Sequence, residues 1–263
     1  MPEVETIKRD LSKKICGLKI TAVKISSPRV IKEPAAEEFA KLLKGDTVQE
    51  VLRAAKILIL GFKSGRFLII HLRISGWLLY GKADQKARVQ IEFDNGAYLN
   101  YMDGRLLGHL RLRQDWKDLK FIRELGKEPF DQSPQEFAKN LENKKTRIKP
   151  LLLDQTFIAG IGNIYAQEAL FSAGIDPCRA AGSLSGTEAV KLHKAIVDVL
   201  NQGIKYRGSS VDAYRDPEGN NGGMEKHLKV YGRQNQPCPV CARPVQKIVL
   251  CGRGTCFCGH CQK

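Results

Sequence analysis

Residues 238–261 read CPVCARPVQKIVLCGRGTCFCGHC, in which Cys238 and Cys241 form one CxxC pair, Cys258 and Cys261 form a second, and sixteen residues separate them. A CxxC bend lets two thiolates reach one ion from a single tight turn, and two such pairs close a tetrahedral site that suits Zn²⁺. The span between the pairs fits a β-hairpin that leaves the first pair and returns to the second. Four thiolates leave no coordination position open, so one structural zinc per chain is expected, and its role is to hold that hairpin. The hairpin tip carries Arg253 and Gly254, which offers a cation to a phosphate. Cys256 and His260 lie close enough to reach the same ion, but neither fits the paired spacing. Cys16 and Cys178 read as small buried apolar side chains.

Working outward, the chain has 263 residues and 43 Lys+Arg against 28 Asp+Glu, a formal net charge of +15. That excess runs along the chain and favours a polyanionic partner, nucleic acid ahead of a membrane surface. No stretch approaches the ~18 apolar residues of a bilayer span, and the sequence is charged from its third residue, so a cytoplasmic protein without a membrane partner is expected.

From Pro2 the apolar positions Val4, Ile7, Leu11 and Ile15 step by three or four, with Glu3 and Glu5 in the first turn. This pattern predicts an amphipathic helix almost at the start of the sequence. Short β-rich runs follow at 18–25, 47–60, 66–72, 77–80, 87–93 and 97–102, with a helical pattern at 36–43. Turn signals such as Lys63-Ser64-Gly65 and Asp94-Asn95-Gly96 separate several of them, which predicts an antiparallel sandwich or barrel for the first ~120 residues. After Leu125-Gly126-Lys127-Glu128-Pro129 helical periodicity takes over, at 134–142, 148–153, 164–173 and 186–202. Between these helices sits a glycine-bracketed turn, Gly160-Ile-Gly-Asn163. The glycine-rich stretch from Gly208 to Met224 reads as a mobile loop. The expected class is α+β multi-domain, with domains at 1–125 (N-terminal helix and β-sandwich), 126–224 (helical) and 225–263 (zinc finger).

Nine segments occur together in one order: Pro2-Glu-Val-Glu-Thr6, Arg53-Ala-Ala-Lys56, His71-Leu-Arg-Ile-Ser-Gly76, Tyr101-Met-Asp-Gly-Arg105, Leu125 to Pro129, Lys144-Lys-Thr-Arg-Ile-Lys-Pro150, Gly160 to Tyr165, Val230-Tyr-Gly-Arg233 and Gly252-Arg-Gly-Thr255. On these the chain resembles the formamidopyrimidine-DNA glycosylase and endonuclease VIII family along nearly its whole length. The resemblance implies a β-sandwich, a helix–two-turn–helix domain and a zinc-finger hairpin around double-stranded, damaged DNA, acting as a monomer in a bacterial-type cytoplasm at the nucleoid. It implies base flipping, attack on the sugar C1′ by the α-amine of an N-terminal proline once Met1 is removed, and strand cleavage through a Schiff base. Pro2 and Glu3 then match the nucleophile and the acid/base glutamate, Lys56 a lysine that assists excision and β-elimination, and Arg253 the arginine that grips phosphate and assists δ-elimination.

The residues support such a reading chemically. An N-terminal amine, with pKa about 8, is about a tenth neutral at pH 7, whereas a lysine is well under a thousandth neutral. The glycines of the 160–163 turn let backbone approach a phosphate at a helix start, where Asn163 can add a hydrogen bond. Lys149, with Lys144, Lys145 and Arg147, extends a phosphate-binding track, and Arg105 adds a further phosphate contact. Arg88 stands where the family often has a histidine that touches DNA.

Two departures stand out. Family members usually open with a second Pro-Glu pair ahead of Pro-Glu-Val-Glu-Thr, and this sequence has one. If Val4-Glu5-Thr6 keep the family register, Pro2 falls on a helix residue and the terminus lies ~4.5 Å short. Either Pro2 and Glu3 take over, or Lys56 attacks, or the protein binds DNA lesions without cutting. A zinc-ribbon RNA-binding or ribosome-associated protein is a third possibility, one that leaves Lys56 and Asn163 without roles. The base-stack wedge also differs, with Ile74, Leu106 and Leu107 where purine-specific members have a methionine and an Arg-Arg-Phe-like run.

Overall fold

The protein is described by a computed structural model covering residues 1–211 and 213–263. It divides into two compact units, Pro2–Arg123 with Ile204–Glu225, and Met1 with Glu124–Gly203 and Lys226–Lys263. The chain passes from one unit to the other after Met1, Arg123, Gly203 and Glu225. The glycine-rich segment joins the sandwich and the zinc module joins the helices.

In the sandwich unit, α1 (Pro2–Ile15) begins on a proline, whose fixed φ and missing N–H suit a first helical position. Glu3 and Glu5 in its first turn and Lys13 and Lys14 in its last complement the helix dipole. Ile7, Leu11 and Ile15, four residues apart, are completely buried and give the helix its core-facing stripe. One sheet contains β1 (Ile20–Ile25), β6 (Gly76–Gly81), β7 (Val89–Phe93) and β8 (Tyr98–Asp103) in the order β1-β7-β8-β6. The other contains β2 (Ile31–Glu33), β3 (Val48–Ala54), β4 (Ile57–Phe62), β5 (Phe67–His71) and β9 (His109–Arg113) in the order β2-β9-β5-β4-β3. The core between them draws Leu58, Leu60, Leu68 and Ile70 from one sheet, Val89, Ile91, Phe93 and Leu99 from the other, and Phe39 and Leu43 from α2 (Ala36–Leu43).

Three features depart from the sequence expectation. The apolar run at 47–60 is two strands, because the chain turns through Ala55 at φ 52° with no glycine or asparagine to mark the turn. Strand β9 was not foreseen, since Arg111 and Arg113 interrupt its apolar pattern; both arginines pair with Glu33 of β2. Strands β2 and β9 run parallel, the one exception among the described residues to the antiparallel pairing expected for this unit.

The second unit contains α4 (Pro134–Leu141), α5 (Ile148–Leu153), α6 (Asn163–Ala173), α7 (Gly186–Lys205, whose last residues pass to the other unit), and the hairpin β10 (Gln246–Leu250) and β11 (Arg253–Phe257); the short α3 (Lys120–Arg123) ends the sandwich unit's first segment. The helix bounds fall within three residues of those read from periodicity. Ser133 Oγ accepts the Glu136 N–H at 3.1 Å and caps α4. Helix α6 is buried on almost every side from Tyr165 to Phe171. Its Glu168 carboxylate accepts three consecutive backbone N–H groups, from Lys229, Val230 and Tyr231, at 2.8, 3.0 and 2.8 Å. That cluster roots the zinc module on α6. No described helix is long and apolar enough to cross a membrane.

Candidate catalytic centre and nucleic-acid interface

Within the sandwich unit, the corner where α1 meets the β3–β4 turn holds three of the four candidate catalytic residues, Pro2, Glu3 and Lys56; the fourth, Arg253, belongs to the other unit. Glu5, buried one turn beyond Pro2, accepts Arg53 Nε at 2.8 Å and Arg9 Nε at 2.8 Å. Burial pushes this carboxyl up, but the hydrogen bonds and charges of the two arginines and Lys8 outweigh it and hold its pKa below the ordinary value. Arg53 Nη1 also donates to the Ala55 carbonyl at 2.8 Å. One guanidinium therefore ties the turn that bears Lys56 to the helix that bears Pro2 and Glu3. Pro2 is buried in the first turn, its carbonyl accepting Thr6 Oγ1 at 3.0 Å, and Met1 is buried ahead of it. Glu3 accepts the Ser209 N–H at 3.1 Å.

Ser209 opens the glycine-rich segment, which has specific partners in place of the mobile loop expected there. Arg207 pairs with Asp10 and with buried Asp216, Lys14 with Glu218, and the Tyr80 N–H donates to the Pro217 carbonyl. A Cβ on Gly222 would sit 2.1 Å from the Gly208 carbonyl, so glycine alone permits this close passage. Asp212, within that segment, lies outside the described residues.

His71, in the motif next to Ile74, is an overlooked member of this region. Its Nδ1 accepts the Arg73 N–H at 3.1 Å. Burial, with Arg73, His109 and Lys56 nearby, pushes its pKa down to about 3. At neutral pH the ring is uncharged and its proton is left on Nε2 as a donor.

Arg88 and Arg105 meet at a residue that sequence reading passed over. Buried Asp103, at the end of β8, accepts Ser75 Oγ at 2.7 Å, Gly108 N–H at 2.8 Å, and Tyr101 OH and Arg105 N–H at 3.1 Å. Arg88 Nε donates to its carbonyl at 3.0 Å. Ser75 and Gly108 belong to the two loops that carry the expected wedge. Ile74 and Leu107 project from them 60% and 47% exposed. Leu106 instead turns through φ 54° and packs on the core.

In the helical and zinc unit, the four cysteines converge. Their Sγ atoms all lie within 4.8 Å of one another, with Cys238–Cys261 at 3.9 Å and Cys241–Cys258 at 3.5 Å. A tetrahedron with Zn–S bonds of ~2.3 Å has edges of ~3.8 Å, close to the two Sγ–Sγ distances of 3.9 and 3.5 Å, so the four thiolates suit one zinc ion. Cys256 faces the small apolar cluster beside this site. Replacing Cys258 with Ser is expected to lower zinc in the purified protein from one per chain toward none and to release the hairpin bearing Arg253. Metal analysis and duplex binding, with the sandwich still folded, check it.

The Gly160 turn takes φ +93°, a left-handed conformation that favours glycine. Gln155 clasps it, accepting the Gly160 N–H at 2.9 Å and donating to the Leu153 and Ile161 carbonyls. The turn opens α6 at Asn163, where, as at any helix start, N–H groups lack intrahelical partners and favour an anion. Lys149 is placed differently from its expected neighbours. Lys144, Lys145 and Arg147 are exposed, but Lys149 is fully buried. Its Nζ donates to Thr255 Oγ1 at 2.8 Å and reaches the Gly254 carbonyl at 3.4 Å. Burial and Arg253 push its pKa down to about 8. A hollow of about 190 Å³ next to it is lined also by Asp154, Cys251 and exposed Arg253.

A β-sandwich with a carboxylate–guanidinium corner under the Lys56 turn, and a helical unit with a glycine turn at a helix start beside a four-cysteine hairpin, suit a DNA-processing protein. Comparison with known proteins gives the family. Residues 1–110 match the formamidopyrimidine-DNA glycosylase N-terminal domain, 125–215 that enzyme's H2TH domain, and 235–263 the zinc finger found in FPG and IleRS. The chain is 43% identical to the formamidopyrimidine-DNA glycosylase of Desulforamulus reducens and 42% to that of Pelotomaculum thermopropionicum, covering 100% of this chain and 98% of each relative. Among solved structures, Lactococcus lactis Fpg in complex with abasic-site DNA superposes with TM-score 0.92 at 34% identity, over 100% of this chain and 99% of that one. MutM (Fpg) from Thermus thermophilus gives 0.89 at 35%, over 100% and 98%.

The chain belongs to the formamidopyrimidine-DNA glycosylase family. It is a DNA-binding DNA glycosylase of base-excision repair with a zinc-finger module, and abasic-site lyase activity is typical of its family.

Proposed function

We propose that the protein removes damaged bases from duplex DNA and nicks the resulting abasic site, with the Pro2 amine as nucleophile after removal of Met1. The observation that carries this reading is the Glu5–Arg53–Ala55 tie, which draws the Lys56 turn to the helix start that holds Pro2 and Glu3. Attack of a neutral Pro2 amine on C1′ breaks the bond to the base, which leaves with a proton; the C1′–O4′ bond then opens with O4′ protonated to give the iminium, and Glu3 carries the proton from the amine to O4′. Lys56 supports excision and β-elimination as a cation next to the reacting sugar. Ile74 and Leu107 prop the stack after flipping; because neither is polar, they fill space without reading a base edge. Nicking of an abasic-site duplex tests this activity.

On the other unit, Arg253, the Asn163 turn and the exposed Lys144, Lys145 and Arg147 engage phosphates, while Arg105 and Arg88 serve the sandwich unit's side. Lys149 contributes through the hairpin it supports. The protein acts as a monomer in the cytoplasm. Arg253→Ala is expected to lower the slope of log affinity against log salt by about one unit, whereas Asn163→Ala weakens binding with little change in slope. Affinity that stays flat between low and moderate salt would count against the whole phosphate surface.

A further inference from the structure

Among the described residues, strand β11 pairs with β10 on one edge only. Its other edge is engaged by the side chain of Gln167 on α6. The Gln167 Oε1 accepts the Cys256 N–H at 2.6 Å, and its Nε2 donates to the Gly254 carbonyl at 3.2 Å. These are the C=O of one residue and the N–H of the residue two further on, the pair of groups that a neighbouring strand would use. A primary amide thus stands in for a third strand, at a residue only 2% exposed. The same Nε2 donates to the Asn163 carbonyl at 3.0 Å, so one side chain holds both the helix start at the anion-binding turn and the strand that begins at Arg253.

The Gly254 carbonyl is a meeting point. Lys149 Nζ and Asn163 Nδ2 also reach it, at 3.4 and 3.3 Å, both longer than the Gln167 contact. A second path runs from Lys149 Nζ to Thr255 Oγ1 at 2.8 Å and on to the Arg253 carbonyl at 3.1 Å. Asn163 makes this one contact to the hairpin, and its Oδ1 is buried with no hydrogen-bond partner among the described residues. If its Nδ2 turns to a phosphate, Gln167 and Lys149 still hold the Gly254–Thr255 stretch in place.

We propose that Gln167 is a positioning residue that fixes where Arg253 meets the DNA backbone, by locking β11 to the first turns of α6. This rests on the reading of Arg253 as a phosphate contact. A hairpin free to shift by an ångström or more on its zinc knuckles would present the guanidinium over a range of positions and lose the contact on average.

The test is a double-mutant cycle on duplex DNA with Gln167→Ala and Arg253→Ala, read as affinity and salt slope, with zinc content and Tm measured on every variant. Gln167→Ala is expected to weaken binding about tenfold and to lower the salt slope by about one unit while zinc stays at one per chain. In that background Arg253→Ala should then cost less than about twofold. Gln167→Glu keeps the Oε1 acceptor and turns a carboxylate oxygen on the Gly254 carbonyl; it should reproduce the loss, so a fold defect peculiar to the alanine variant cannot mimic the result. Full additivity of the two substitutions, or an unchanged slope in both Gln167 variants, overturns the proposal. If Arg253→Ala alone leaves affinity and slope unchanged, the phosphate reading has failed instead.

Discussion

Borohydride added to the protein with an abasic-site duplex is expected to trap a covalent adduct through residue 2, and peptide mapping should place the cross-link there. The iminium formed by a secondary amine is reducible, whereas a noncovalent complex leaves nothing to trap. Pro2 is favoured because an α-amine at pKa about 8 holds roughly a tenth of its population neutral at pH 7, more than ~100-fold above an unperturbed lysine. While Met1 remains, Pro2 nitrogen is an amide and cannot attack, so activity should follow the processed fraction of the preparation. Lys56→Ala should still trap at residue 2 but excise bases more slowly, and Pro2→Gly should trap through a primary amine with altered efficiency. A cross-link mapped to Lys56 would move the nucleophile to the β3–β4 turn. Tight binding with no adduct and no nicking would mean that the corner holds DNA without cutting it.

Substituting Asp103 with Asn is expected to destabilise the protein by about 3 kcal/mol, since charge-assisted hydrogen bonds are lost and buried donors left without partners. For a domain of this size that corresponds to a Tm lower by roughly 10 °C, and thermal unfolding beside Ser75→Ala, which removes one donor only, checks it. Burial raises the Asp103 carboxyl, but the hydrogen bonds from Ser75, Gly108, Tyr101 and Arg105 more than offset it and leave its pKa below the ordinary value. A depressed folded pKa means that this stability is fully present above the unfolded value, about 3.9, and is lost as pH falls through the lower folded one. The Asn variant should therefore lose that part of the acid dependence. A Tm change under about 2 °C would show that the carboxylate is not what joins the two loops.

The parts of this protein that sequence revealed share a property. Each is governed by short-range spacing. The CxxC pairs, the period of α1 and the glycines of the 160–162 turn all encode their geometry within a few residues, and the metal site and most helices followed from such local patterns. Asp103, Gln155, Gln167 and Glu168 did not, because an isolated polar residue in an apolar stretch does not announce which distant backbone groups it will satisfy. Gln167 finds its partners 87 and 89 residues away. Lys149 shows the converse error: its basic neighbours suggested a solvated face, and the turn of α5 aimed it inward at Thr255. The β3–β4 turn was missed for a third reason, an alanine in a left-handed conformation where turn chemistry gave no sign.

The placement of zinc and Arg253 on one hairpin has a thermodynamic consequence. With the Arg253 phosphate contact proposed above, metal and nucleic acid become linked ligands of a single element, and linkage is reciprocal. Whatever factor bound zinc adds to DNA affinity by ordering β10 and β11, bound DNA must add to zinc affinity. Protein engaged on a duplex will therefore surrender its metal to a chelator less readily than free protein, and metal limitation will fall first on the molecules that are not at work.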